Sequence, residues 1–302
     1  MTTARARQIP PLYAGLVDDA ALFPPAGEPL AAAVPAHFAH RGDWYADLLG
    51  PFLCPDALLP ELATALDDQP GDDPLALGLV VAGGAGAIEP ALVWTGRVER
   101  IRLVGLEIAL RDEPQLGRNV ERVARALDSA DLPDDVLVTV EVPRVPGWET
   151  ALDAAAETGF RAKLRTGGEV TEAFPAEREV ARFILACLDR ELSFKCTAGL
   201  HHAVRTTDRP TDRPVGRPDG VPALERHGFL NVALATRAGL DGADEDALIE
   251  ILADRDTNAI SAAVRALDDR AAASTRRWFT SFGSCSVSEP LEDLLRLEIL
   301  QD

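Results

Sequence analysis

Eight short runs rich in aliphatic and β-branched residues are each followed by a longer stretch with helical spacing, and this alternation limits the possible folds more than any other feature of the chain. The runs fall at 12–22, 51–55, 75–81, 101–110, 136–142, 160–165, 193–197 and 279–284. The segment 75–81, Leu-Ala-Leu-Gly-Leu-Val-Val, is apolar throughout, as expected for a strand covered on both faces. Helices are predicted over about 30–49, 56–66, 88–94, 115–129, 148–158, 176–188 and 289–300, with Pro114 opening the fourth and Gly159 closing the fifth. Repeated strand–helix units require a parallel sheet, and eight of them in 302 residues predict an α/β fold, a closed (βα)₈ barrel of TIM type. An open doubly wound α/β sheet is the alternative.

The chain reads as one barrel domain, 1–302, whose seventh unit is oversized. Residues 205–222 contain the near-repeat Thr207-Asp-Arg-Pro, Thr211-Asp-Arg-Pro with further Gly and Pro, and are expected to be a lid or a disordered loop. Residues 223–275 are expected to form a helical embellishment between strands 7 and 8, with helices near 229–238 and 245–270.

A net charge of −19 and 5% aromatic residues argue against nucleic acid as a partner. The chain shows no apolar run of the roughly 18 residues that a membrane span needs, and no signal-peptide core near Met1, so a cytoplasmic protein with a small-molecule substrate is expected. A homo-oligomer is left open. Cys54, Cys187, Cys196 and Cys285 lack metal-site spacing and are expected to be reduced thiols.

Of the 30 basic residues only two are lysines, Lys163 and Lys195. Arginine stays protonated at any relevant pH, whereas a buried lysine can become a nucleophile or base, so chemistry can demand lysine where charge alone accepts arginine. In a barrel strand alternate side chains point inward, and reactive groups collect at the C-terminal ends. Leu103, Gly105 and Glu107 share one parity, as do Leu137, Thr139 and Glu141, then Arg161, Lys163 and Arg165, then Ser193, Lys195 and Thr197. The opposite parities are mostly apolar, which directs Glu107, Glu141, Lys163, Arg165 and Lys195 inward. Each would cost several kcal/mol in desolvation unless paired or met by ligand. An interior ion-pair network without chemistry is the plainer reading.

Lys163-Leu-Arg-Thr-Gly-Gly on the sixth strand and Lys195-Cys-Thr-Ala-Gly on the seventh resemble the lysine pair of class I deoxyribose-phosphate aldolases. The resemblance covers two strands, and a third if Val140-Glu-Val is included. It implies Lys163 as the Schiff-base nucleophile, Lys195 as the neighbour that lowers its pKa, and Glu107 or Glu141 as proton relay. Arg165, the pair His201-His202 and the long insertion depart from that family's pattern. Independently of the family, a charged amine beside a second one disfavours the second charge, so one of the two can be neutral near pH 7 and attack a carbonyl.

Further binding candidates surround this set. Arg165 suits a substrate carboxylate or phosphate, with a salt bridge to Glu141 as the alternative. Thr197, His201 and His202 lie at the end of the seventh strand, and Ser284 in Gly283-Ser-Cys-Ser offers a hydroxyl near an anion, unless Ser286 or Ser288 merely caps the next helix. His227 and Asn231 open the added helix. Asp18 and Asp19 end the first strand, where they could bind a cation or orient Lys163, although an exposed turn is simpler; His37 and His40 are expected at the surface. Ala82-Gly-Gly-Ala-Gly86 is not a phosphate loop. No metal or cofactor is expected on the aldolase reading. A second reading has Glu107, Glu141 and Asp18 or Asp19 hold Mg²⁺ for enolase-like proton abstraction, and a third is a barrel that binds a small molecule without turning it over.

Overall fold

The computed structural model describes residues 8–111, 114–130, 132–168, 170–207 and 224–301. Eight strands close a parallel barrel: β1 (Val17–Asp19), β2 (Leu49–Pro55), β3 (Leu75–Val81), β4 (Ile101–Ala109), β5 (Leu137–Glu141), β6 (Arg161–Arg165), β7 (Phe194–Thr197) and β10 (Phe279–Ser284). Neighbours follow chain order, and β10 pairs with both β7 and β1. The fold is therefore an α/β barrel of TIM type, and the open sheet is excluded. β8 (Thr206–Thr207) and β9 (Glu225–Arg226) form a separate antiparallel hairpin.

Six helices alternate with the first seven strands: α1 (Leu30–Arg41), α2 (Leu59–Asp67), α3 (Ile88–Thr95), α4 (Leu116–Asp128), α5 (Glu149–Thr158) and α6 (Glu177–Asp189). Between β7 and β10 come α7 (Phe229–Leu240), α8 (Glu245–Ala253), α9 (Thr257–Arg265) and α10 (Asp269–Trp278), and α11 (Ser288–Arg296) closes the chain. The outward strand residues, such as Leu75, Leu77, Leu79 and Val81 on β3 or Phe194 and Cys196 on β7, are fully buried beneath this helical layer. α7 is buried along two turns, and its Phe229 stacks on Phe282 of β10 at 5.0 Å between ring centroids.

The helical insertion between the seventh and eighth barrel strands is present, and the helices expected around 245–270 are three, the last of which runs on to Trp278. Each starts at an aspartate whose carboxylate accepts backbone N–H bonds: Asp244 from Ala247, Asp256 from Asn258 and Ala259, and Asp268 from Ala271. Such caps are worth about 1 kcal/mol each. The first strand is three residues long rather than eleven, and the helix expected over 30–49 ends at Arg41, followed by a 3₁₀ turn at Ala46–Leu48. Most of the segment read as a lid, 205–222, lies outside the described residues; Thr206 and Thr207 form β8. The four cysteines are free thiols. Among the described residues no helix is long and apolar enough to cross a membrane.

Alternation fails at two places that matter. Leu77 pairs with Leu103 while Gly78 pairs with Gly105, so β4 carries one extra residue and Leu103 does not share the face of Gly105 and Glu107. On β10, Phe279 pairs with Phe194 and Phe282 with Cys196, a second irregularity just before the residue that faces the barrel's charged interior, Ser281.

Candidate functional site

The register of three adjacent strands assembles the site. Lys163 and Lys195 are direct partners across β6 and β7, and Glu141 is the partner of Lys163 across β5 and β6. Partners in a parallel pair project to the same face, so these three side chains enter the barrel side by side. Glu107, two residues from the end of β4, reaches across and bridges both amines: Lys163 Nζ donates to its Oε2 at 2.7 Å, and Lys195 Nζ donates to its Oε1. Lys163 Nζ also lies 2.8 Å from Glu141 Oε2, while Lys195 Nζ donates to Asp18 Oδ2. Ser281 Oγ donates to the same Asp18 oxygen at 2.7 Å. At the mouth, Arg165 Nε donates to Glu141 Oε1 at 2.9 Å.

The chain is thus Arg165, Glu141, Lys163, Glu107, Lys195, Asp18 and Ser281, with charge alternating along it. Its inner members are withdrawn from water: Lys163 is 3% and Lys195 6% exposed, whereas the Arg165 side chain is 50% exposed. Burial alone would strip the lysines of their protons. For Lys163 that effect is outweighed by Glu107 and Glu141, and its pKa lies above the ordinary value; the repulsion from Lys195 is real but smaller. For Lys195, Asp18 and Glu107 likewise outweigh burial and raise it. The expectation that like charges leave one amine neutral is therefore overturned, because three carboxylates stand among the two amines.

The acids respond in kind. Burial pushes Glu107 up, but Lys163 and Lys195 overcome it and hold it at about 2. Glu141 is also lowered, its burial offset by Lys163 and Arg165. Asp18 moves the other way, raised because its burial exceeds what Lys195 returns. Arg161, two residues before Lys163 on the same strand face, is lowered by burial and partly restored by the charge of Asp18.

Several expectations are corrected. Asp18 and Asp19 are not an exposed turn; each is 2% exposed, and Asp18 holds Lys195 rather than orienting Lys163. Asp19 Oδ2 lies 2.9 Å from Nδ1 of His37, which is buried rather than at the surface, and His40 Nδ1 lies 2.7 Å from the Tyr45 hydroxyl. Asn231 does not face the barrel interior: its Oδ1 accepts from Arg205 N and its Nδ2 donates to the carbonyls of Ile251 and Asp254, tying α7 to the end of α8. His227 is buried against the Pro175 carbonyl at 2.8 Å, and burial lowers its pKa. Ser284 Oγ donates to Ser286 O, and Ser286 Oγ accepts from Glu289 N, which is the helix-capping alternative.

His201 and His202 diverge. His201 Nδ1 lies 2.7 Å from Glu289 Oε2, and Cys285 Sγ sits 3.9 Å from the same nitrogen. Burial lowers His201, but Cys285 and Glu289 prevail and raise it to about 9. His202 Nδ1 lies 3.3 Å from Asp293 Oδ2. Thr197 is half-buried and pairs in register with Arg165 and Gly283. Two members of the charged chain escaped sequence reasoning in these roles. Ser281 was hidden by the irregularity of β10, and Asp18 as the holder of Lys195 by the shortness of β1; the signal for Asp18 was its place on a first barrel strand with Gly50 on the next.

The carboxylates of the Mg²⁺ reading do not fit a cation here. Asp18, Glu107 and Glu141 each contact an ammonium group, and among the described residues no three His, Cys, Asp or Glu side chains are grouped to hold a metal ion. Comparison with known proteins returns no matching family model and no matching curated protein.

Proposed function

We propose that the barrel is a lysine-dependent carbon–carbon lyase of the aldolase type, acting on a small anionic carbonyl compound through a Schiff base on Lys163. The observation that carries this reading is the bridging of the chain's two lysines by one buried carboxylate, Glu107, inside a parallel barrel. Lys163 is the better nucleophile on geometry. Its second partner, Glu141, contacts the half-exposed Arg165 and so leads to the mouth, whereas Lys195 is held between two buried acids.

The resting ammonium must first give a proton to Glu141. The free Nζ then adds to the substrate carbonyl, and the carbinolamine hydroxyl takes the proton held by Glu141 and leaves as water, giving an iminium. Glu141 next takes the β-hydroxyl proton as the bond between the α and β carbons breaks, which releases an aldehyde and leaves an enamine. The enamine is protonated at its α carbon before water hydrolyses the imine and frees Lys163. Lys195 stays charged and favours a neutral amine on Lys163 once a carboxylate partner has been protonated. Arg165, freed from Glu141, binds the substrate's carboxylate or phosphate. Four free cysteines suit a reducing, cytoplasmic setting.

Borohydride reduction with glyoxylate, pyruvate and glyceraldehyde tests the reading. The expected result is a reduced adduct on Lys163, more abundant as pH rises, lost in Lys163→Met and weakened for the two acids in Arg165→Gln. A second reading, an ion-pair network that stabilises the barrel without turnover, is favoured by the low exposure of both lysines and by the opposite charge on every contact. Folded protein that forms no adduct with any of the three supports it.

A further inference from the structure

Away from the barrel interior, a cavity of about 840 Å³ opens between the segment that follows β7, the helix α9 and the C-terminal end of α11. Arg205, Arg255, Arg265 and Arg296 line it, together with His202. On a chain whose net charge is −19, four guanidinium groups gather around this one cavity, three of them in contact with carboxylates and Arg265 with none among the described residues. We propose that this cavity binds a small phosphorylated ligand, with a phosphate or diphosphate group as the recognised feature, independently of the chemistry in the barrel.

The arginines are not equally committed. Arg205 contacts Glu177, Arg296 donates to Asp293 Oδ1 at 2.6 Å, and Arg255 contacts Glu225. Arg265 donates only to the Leu297 carbonyl and, among the described residues, pairs with no carboxylate. It is exposed and carries the charge most available to a ligand. Asp293 is already engaged by Arg296, by the His202 ring and by the Ala203 amide, which leaves Glu298, among the described residues, as the uncommitted acid in the lining.

A second observation points to a ligand. Ser261, on α9 one turn before Arg265, lines the cavity and is only 4% exposed, yet its hydroxyl has no hydrogen-bond partner among the described residues. A buried hydroxyl without a partner is unfavourable, and rotation about χ1 toward the cavity would let a phosphate oxygen supply the missing acceptor. The first amides of α9 are already used by Asp256, so recognition falls to the guanidinium groups and this hydroxyl rather than to the helix terminus. Guanidinium groups pair with carboxylate and phosphate alike, but a phosphate or diphosphate carries more charge and more oxygens than a lone carboxylate and so can engage several of these groups at once.

Isothermal titration of the full chain with inorganic phosphate, pyrophosphate, glycerol phosphate and citrate tests the proposal. The expected result is saturable binding of pyrophosphate, weaker at higher salt, with citrate at least about tenfold weaker. Tighter binding of glycerol phosphate than of pyrophosphate would mark an organic phosphate as the ligand; the reverse would mark the diphosphate group. Arg265→Gln is expected to weaken pyrophosphate binding about tenfold. Ser261→Ala removes a hydroxyl that has no partner, so the ligand-free melting temperature stays level or rises while pyrophosphate binding weakens severalfold. No saturable binding, citrate binding as tight as pyrophosphate, or binding unchanged in both variants would overturn the proposal. Should Arg265→Gln fail to fold, Ser261→Ala alone decides.

Discussion

At the scale of single residues, the charged interior depends on a position that carries no charge. Gly50 lies on β2 beneath Asp18, and a Cβ there would overlap the Asp18 carboxylate. Gly50→Ala must therefore push Asp18 away from Lys195, leaving a buried amine one partner short. We expect a loss of about 1–3 kcal/mol in urea denaturation, whereas Gly86→Ala, which meets open space, should change stability far less. Equal effects of the two substitutions would contradict the placement of Asp18. Lys163, Lys195, Glu107 and Glu141 were legible because alternation along a strand is a strict geometric rule and their opposite faces are apolar. The rule breaks where a strand gains a residue, so Leu103 was misassigned and Ser281 went unseen. His37 was read as exposed because two histidines on one helix with no third ligand nearby give no sign of the buried Asp19 that receives one of them.

Elements are joined by contacts that no single stretch of sequence announces. The loop after β7 is fastened to α11 through His201 and Glu289, 88 residues apart. His201 has a folded-state pKa of about 9 against an ordinary 6.5, so the folded form holds its proton more tightly than the unfolded one. The resulting stabilisation is fully present below about 6.5 and disappears as pH climbs to about 9. Melting temperature should therefore decline over that window in the parent protein and decline less in His201→Asn; parallel curves would show that the pairing does not form. The helices of the insertion were only partly legible. Apolar spacing indicated helices around 245–270 but not their boundaries, because Asp256 and Asp268 act as starts only where the chain turns, which is a property of local backbone rather than of hydrophobic pattern. The barrel strands from 75–81 onward were the clearest signal, since runs of alternating or continuous apolar residues at regular spacing have few other solutions.

For the molecule as a whole, closure of eight strands is what brings β1, β4, β6 and β7 to one charged centre, and that centre ties global stability to acid. Glu107 sits at about 2 in the folded protein and at 4.5 as an ordinary glutamate, so its contribution is complete above 4.5 and fades as pH falls toward 2. Asp18, raised by burial, acts in the opposite sense and partly offsets this. Glu107→Gln should flatten the acid limb of the melting curve, and an unchanged limb would mean that Glu107 is not held by the lysines. The most direct test of the bridged amines exploits their rarity. With lysine labelled at Cε, the NMR spectrum contains just two side-chain signals, one for each lysine of the chain. Both should remain at the ammonium position as pH passes the ordinary lysine value of 10.5, and both midpoints should fall in Glu107→Gln. A signal that titrates at or below 10.5 in the parent protein, or a midpoint that Glu107→Gln leaves in place, would contradict a shared carboxylate between Lys163 and Lys195.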